Sequence, residues 1–301
     1  EYFSKDAQFD KLKAIAVSNL EAFLLGEATG ENWYNDGTNP FSRLSQGFIQ
    51  SGTIAPHSLV YCDAVGTFLW LDHERKVVML NGRTPVTLSA TMNKYIQGFS
   101  YVADAQADYM VIAGRPYYVL SFKTDSKTIV WDFVKNQWYE WGYWNSTSAE
   151  YERWRGNCFC LAPTWNFALV GDRANGKIYR IDPDTFTDGG DTIRMLDRTG
   201  HIDWGYPTRR KKCIELNMRV KRTQVGGGVS PVTMVVQYRD NGATTWKTER
   251  TVTLSTTASD TEYRASLKQL GSYYSRQWQF IYTNSEIACA IVQAQEKFEL
   301  L

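Results

Sequence analysis

The sequence predicts an all-β chain: a β-propeller of Kelch-like blades, forming an incomplete or small ring, followed by a C-terminal β-sandwich. Three observations carry this. Aromatic residues reach 14% of 301 residues, a bias toward strands and broad flat contacts. A set of three short apolar segments recurs at a period of 45 to 50 residues. From about Arg209 that repeat gives way to longer alternating runs.

The first copy of the repeat runs through Ala14–Val17, Phe23–Leu25 and Asn32–Tyr34. The second is Leu59–Tyr61, Phe68–Leu71 and Val77–Leu80; the third is Tyr109–Ile112, Tyr117–Leu120 and Thr128–Trp131; the fourth is Cys158–Cys160, Phe167–Val170 and Lys177–Ile181. Polar hairpin turns separate the second and third segments, as at Asp72–Lys76, Lys123–Ser126 and Gly171–Gly176. A turn-forming Asn or Asp closes the second, third and fourth copies at Asn81, Asp132 and Asp182, spaced 51 and 50 residues apart. Segments this short cannot bury both faces alone, so each three- or four-stranded blade must stack on its neighbours. Between blades, Ser89–Ile96 has helical spacing behind a Ser cap and predicts one short helix.

After Arg209, alternation over Cys213–Val220, Val232–Tyr238, Arg250–Leu254, Trp278–Tyr282 and Ile287–Val292, with a Gly226–Gly228 loop, predicts the sandwich. The expected domains are residues 1–205 and 206–301.

Composition excludes several classes. With 33 basic and 32 acidic side chains, a net charge of +1 supplies no long-range field to draw the chain onto nucleic acid or an anionic bilayer. No apolar run reaches the roughly 18 residues of a membrane span, and Glu1–Ser4 lacks a signal-peptide pattern. The first residue is not Met, which reads as a chain cut from something longer at its N-terminus. Five cysteines, Cys62, Cys158, Cys160, Cys213 and Cys289, are scattered through apolar runs and read as reduced structural thiols, with no metal site at Cys158-Phe-Cys160.

No catalytic motif, metal ligand set or cofactor site is expected, so the chain reads as a non-enzyme. His57, His73 and His201 fall in different contexts, and the carboxylates Asp132, Asp172, Asp182, Asp184 and Asp188 read as turn formers, although blade carboxylates could in principle serve a glycosidase. Arg239–Trp246 is similar to an Asp-box hairpin, a turn with a Trp packed beneath it. Two groups are candidates for a partner interface. One is the aromatic cluster after the third blade, Tyr139, Trp141, Tyr143 and Trp144, which could equally pack blade on blade. The other is Arg209 and Arg210, opening the basic run Arg209–Lys212.

The order of several short motifs is more specific than any one of them: Gly26–Thr29 with Glu31–Trp33, Asn39–Phe41, Ser51–Gly52, Ala55–Ser58, Phe68–Leu71, Ser89–Thr91, Tyr117–Leu120, Thr128–Asp132 with Trp138, Gly176–Tyr179, then Tyr238–Gly242 to Trp246, Tyr263–Arg264, and Leu270–Gly271 with Arg276. In that order the chain resembles the packaged-DNA stabilisation, or tail hub (nozzle), proteins of short-tailed phages, over nearly all 301 residues. The resemblance implies a structural virion protein of the tail, assembled in the bacterial host cytoplasm without a membrane. It implies a ring of six copies around the DNA channel. The partners implied are the head-tail adaptor, a tail needle or plug, tailspikes or fibres, and packaged DNA held without sequence specificity. The competing expectation, from exposed aromatics and blade carboxylates, is a glycan-binding or glycan-cleaving propeller.

Overall fold

The computed structural model describes residues 8–38, 41–162, 164, 167–222, 232–247, 250–255, 261–284 and 289–301. The predicted Gly226–Gly228 loop, Asn39 and Pro40, and Ile287 and Ala288 lie outside them. The chain divides into two compact units, Glu1–Pro183 and Asp184–Leu301.

The first unit is a series of antiparallel sheets in chain order. Blade 1 comprises β1 (Leu12–Ser18), β2 (Glu21–Gly26), β3 (Gly30–Tyr34) and β4 (Ser42–Ile49). Blade 2 comprises β5 (Val60–Cys62), β6 (Thr67–Leu71), β7 (Val77–Asn81) and β8 (Thr84–Thr87). A short helix, α1 (Asn93–Gln97), leads to blade 3, made of β9 (Gln106–Ile112), β10 (Arg115–Phe122), β11 (Lys127–Asp132) and β12 (Gln137–Glu140). The hairpin of β13 (Gly142–Asn145) and β14 (Glu150–Arg153) precedes blade 4, with β15 (Gly156–Ala162), β16 (Phe167–Asp172) and β17 (Ile178–Ile181).

Side-chain alternation along single strands explains how the blades stack. On β6, Phe68 and Trp70 join a core with Leu25 and Ile49 of blade 1, whereas Leu69 and Leu71 join a core with Tyr118, Leu120 and Trp131 of blade 3. On β10 and β11 the same rule holds: Tyr118, Leu120, Phe122, Ile129 and Trp131 face blade 2, while Val119 and Val130 face Phe159 and Ile181 of blade 4. Because both faces of blades 2 and 3 are covered, their central strands read as unbroken apolar runs rather than as alternation. Hydrogen bonds cross the same seams: the Tyr118 hydroxyl donates to the Ser58 carbonyl at 2.9 Å, and Trp70 Nε1 donates to the Gly52 carbonyl at 3.1 Å. Gly52 has to be glycine, since a Cβ there would stand 2.4 Å from the backbone nitrogen of Ala28.

Two local expectations shift. The helix begins four residues after Ser89, because the Ser89 hydroxyl is occupied elsewhere, accepting from the Val77 amide at 2.8 Å. The boundary between units falls at Pro183/Asp184 rather than at residue 205. The reason is β20 (Arg194–Arg198), which pairs along its whole length with a strand of the second unit.

The second unit begins with the small hairpin β18 (Thr187–Asp188) and β19 (Asp191–Thr192), followed by β20. The remaining strands are β21 (Lys211–Arg222), β22 (Val232–Asp240), β23 (Arg250–Ser255), β24 (Glu262–Lys268), β25 (Ser272–Tyr273), β26 (Arg276–Thr283) and β27 (Cys289–Leu300). One sheet has the order β20-β26-β22-β23; in the other β21 pairs with β24, β25 and β27. Inward residues of both, among them Leu216, Met218, Met234, Val236, Trp278 and Phe280, form one shared core.

Blade 3 carries an internal electrostatic load. Asp108 on β9 lies on the same face as Met110, toward the blade 4 core, and burial raises its carboxyl pKa to about 6. The unfolded carboxyl titrates near 3.9, so the folded state binds this proton more tightly, and stability rises as pH falls from 7 through 6 toward 4. Asp108→Asn is expected to stabilise the chain by about 1–2 kcal/mol at pH 7.5, with no gain at pH 4. Urea titrations at both pH values check this; an equal effect at both would remove the explanation.

Candidate functional site

The aromatic cluster divides between two roles. Trp138 sits on β12, packs at 5.2 Å from Trp131 and donates its indole N–H to the Leu88 carbonyl at 3.1 Å. Trp141, between β12 and β13, packs against Tyr117 at 5.6 Å and Trp154 at 5.4 Å, beside the core shared by blades 3 and 4. It packs there while only half-buried itself. The others are half-buried. Tyr139 alternates to the opposite face of β12 from Trp138, its hydroxyl donating to Gln137 Oε1 at 3.3 Å, with Lys135 Nζ 6.0 Å from its ring. On the following hairpin, Tyr143 lies under the Arg155 guanidinium at 4.9 Å and Trp144 meets Tyr151 edge-on at 4.8 Å. Tyr139, Tyr143 and Trp144 thus stay accessible in part.

Two of the carboxylates that sequence places on blade turns, Asp132 and Asp172, are held there. Asp132 Oδ1 accepts from the Val134 and Lys135 amides at 2.8 and 3.0 Å. Asp172 Oδ1 accepts from the Ala174 amide at 2.6 Å, and its other oxygen accepts from Arg155 Nε at 3.0 Å. Asp72 repeats the device with the Glu74 and Lys76 amides at 2.9 and 2.8 Å. His57, His73 and His201 are all exposed and separate from one another in the sequence of elements. A cleft of about 330 Å³ opens at the turns of blades 1 and 2, lined among others by Glu21, Phe23, Tyr61, Phe68 and Asn81.

The thiols are free. Cys62, Cys213 and Cys289 are buried, and burial pushes each thiol up to about 12. Cys158 and Cys160 are exposed, not enclosed as their apolar surroundings in sequence suggest. Both point away from the blade 3–4 core, because Phe159 between them occupies it.

In the second unit the basic run is interrupted by one buried residue. Arg209, Arg210 and Lys212 are exposed, but Lys211 is fully buried and donates to the carbonyls of Tyr206, Arg209 and Tyr274 at 2.7, 2.9 and 2.7 Å. Alternation on β21 turns Lys211 inward and Lys212 outward.

The Asp-box-like turn anchors a second buried cation, which sequence reading left without a role. Arg276 is fully buried; its Nε and Nη2 donate to the two oxygens of Asp240 at 2.7 and 3.1 Å, and Nη2 also donates to the Leu270 carbonyl at 2.7 Å. Its guanidinium carbon lies 4.1 Å from the ring centre of Tyr238, 4.2 Å from Tyr273 and 5.1 Å from Trp278. Glu296 stands 4.0 Å from Nη1 and accepts from the Tyr273 hydroxyl at 2.6 Å and from Trp278 Nε1 at 3.2 Å. Burial, then the Glu296 carboxylate, drives the Tyr273 hydroxyl pKa upward. Trp246 lies under the Arg239 and Arg198 guanidiniums.

With the stacked blades in place, comparison with known proteins is decisive for the first unit. Residues 1–186 match the family described as "Bacteriophage P22 Gp10, beta-propeller". The chain belongs to this family. It is a phage stabilisation protein, and its first compact unit, ending at Pro183, is the part that the P22 Gp10 propeller family matches. The likeness read in the second unit, from Tyr238 to Arg276, lies beyond the matched residues. No curated protein matches the chain. Among solved structures, PorZ of Porphyromonas gingivalis, described as an essential bacterial surface component of the type-IX secretion system, aligns with 58% of this chain and 23% of its own at 8% identity and a TM-score of 0.32. The chain spans under a quarter of PorZ, and at that score the likeness bears on neither fold nor function.

Proposed function

We propose that this Gp10-family chain is a tail hub, or nozzle, component of the phage virion, assembled as a ring of six around the channel through which packaged DNA passes. It acts mechanically and is not a catalyst. The observation that supports this reading is the burial of both faces of blades 2 and 3, which buttresses successive blades against one another and suits a part that holds a channel's shape. Turn carboxylates such as Asp132 and Asp172, which would be the natural candidates for chemistry, are instead engaged by backbone amides. The half-buried Tyr139, Tyr143 and Trp144 are the surfaces proposed to dock the adaptor, the needle or plug, or tailspikes. Site of action is the virion tail, after assembly in the host cytoplasm.

Electron microscopy of the full-length protein with its adaptor is expected to give six-fold rings. Monomers only, under conditions where the adaptor itself forms rings, would reject the reading. A second reading, glycan binding, draws on the cleft with Phe23, Tyr61 and Glu21. A saccharide array that returns tight binding lost in Glu21→Gln would favour it over the hub.

A further inference from the structure

The register of the second unit's β21 sheet gathers cations that are far apart in sequence. On its outward face, rows run across β24, β21 and β27: Arg264, Arg219 and Gln293; Ser266, Asn217 and Gln295; Lys268, Glu215 and Lys297. Lys221 stands opposite Glu262 at one end, and Lys212 opposite Glu299 at the other. The Leu301 amide donates to the Arg210 carbonyl at 2.8 Å, so the ladder continues one residue past Lys211 and brings Arg210 to the side of Lys212. Six lysines and arginines on the sheet, with Arg209 and Arg210 beside it, thus meet three glutamates, in a chain whose net charge is only +1.

Among the described residues the cations are poorly compensated. Arg219 and Arg264 are direct cross-strand neighbours, an arrangement that costs stability when nothing lies between the charges. Glu262 meets Arg219 at 3.6 Å, and Glu215, 3.8 Å from Lys268, serves two lysines at once. Between the two basic ends the paired rows hold Asn217, Ser266, Gln293 and Gln295, and the bulge residues Ile214 and Val292 are exposed on the same strands. No aromatic ring stands in these rows, so the face lacks the anchors that protein partners use. Uniform cations interleaved with amides suit a polyanion whose charge is regular and whose surface is wet. From Lys212 to Lys221 the face runs about 30 Å, the length of roughly nine base pairs of duplex.

We propose that the outward face of the β24-β21-β27 sheet is a sequence-independent contact for the phosphate backbone of duplex DNA. Choice of DNA as the polyanion rests on the proposed channel role; the face itself does not.

The test is fluorescence anisotropy of a mixed-sequence 30-base-pair duplex against the whole chain, at 50 to 200 mM NaCl. Binding is expected to weaken with salt, with a slope of about −4 to −5 in log K against log salt for five net phosphate contacts. The triple variant Lys221→Glu, Arg264→Glu, Lys297→Glu, whose side chains are exposed, is expected to lose at least tenfold in affinity and about three units of slope. A control with the same charge change in the first unit, Lys94→Glu, Lys123→Glu, Lys177→Glu, is expected to bind within threefold of the parent. Equal losses in both triples would show a net-charge effect and overturn the assignment, as would an unaffected first triple that retains its circular dichroism spectrum. Poly-glutamate competing as well as duplex at equal charge would overturn DNA in favour of a carboxylate-bearing partner. DNA binding that follows this pattern in a protein that never forms rings would uphold the face and reject the hub reading alone.

Discussion

Arg276→Ala is expected to lower the stability of the second unit by about 3–5 kcal/mol, the usual cost of removing one member of a buried ion pair. The magnitude follows from what would be left behind. Asp240 would keep only Lys247, at 2.8 Å and half exposed, and Glu296 would lose its sole neighbouring cation among the described residues. Three rings now packed on the guanidinium would also border a void. Arg276→Lys separates charge from shape. It keeps the positive charge but cannot donate to both Asp240 oxygens in one plane or stack between Tyr238 and Tyr273, so more than half of the loss should remain. Hydrogen exchange resolved by segment, with urea titration, would place the loss on β22 and β26 and leave β6 and β10 unaffected. A cost under 1 kcal/mol for the Ala variant would mean that the network contributes little.

Trp70→Ala should cost a similar amount, about 3–5 kcal/mol, but through a cavity rather than through charge. Trp70 is 1% exposed and fills the core between blades 1 and 2. Its indole N–H also satisfies the carbonyl of Gly52, where no larger residue fits. Trp70→Phe retains most of the ring and loses that hydrogen bond, so its cost should be smaller, about 1–2 kcal/mol. Amide exchange in β2 and β7 should accelerate in both variants, more so in the Ala variant; protection unchanged in blade 1 would contradict the shared core.

The repeat was readable because covered blades leave a coarse signal: Phe68-Leu-Trp-Leu71 and Tyr117-Tyr-Val-Leu120 are apolar at every position. What stayed hidden were strands with little apolar content. β4 and β8 are largely exposed and polar, and β12 carries the Trp138 and Tyr139 that sequence assigns to a cluster after the hairpin. β24 leaves a faint signal because its inward residues, Tyr263, Ala265 and Leu267, alternate with Glu262, Arg264, Ser266 and Lys268, a pattern diluted by the small residue in its centre. β20 lies before the residue 205 boundary that the sequence suggests, because its pairing with β26 is a long-range fact with no local signature. Of the candidate residues, Trp141 belongs to packing, while Lys211 shows that a run of like charges in sequence can be split by the two-residue period of a strand.

The alternation along β6 has one more consequence. Since its odd and even positions serve different neighbours, two adjacent residues of a single five-residue strand address opposite directions along the chain. Damage at Trp70 would be felt toward the start of the propeller, and damage at Leu71 toward its end, so a mechanical pull applied at either extremity would meet separate, sequential points of yield instead of one global rupture.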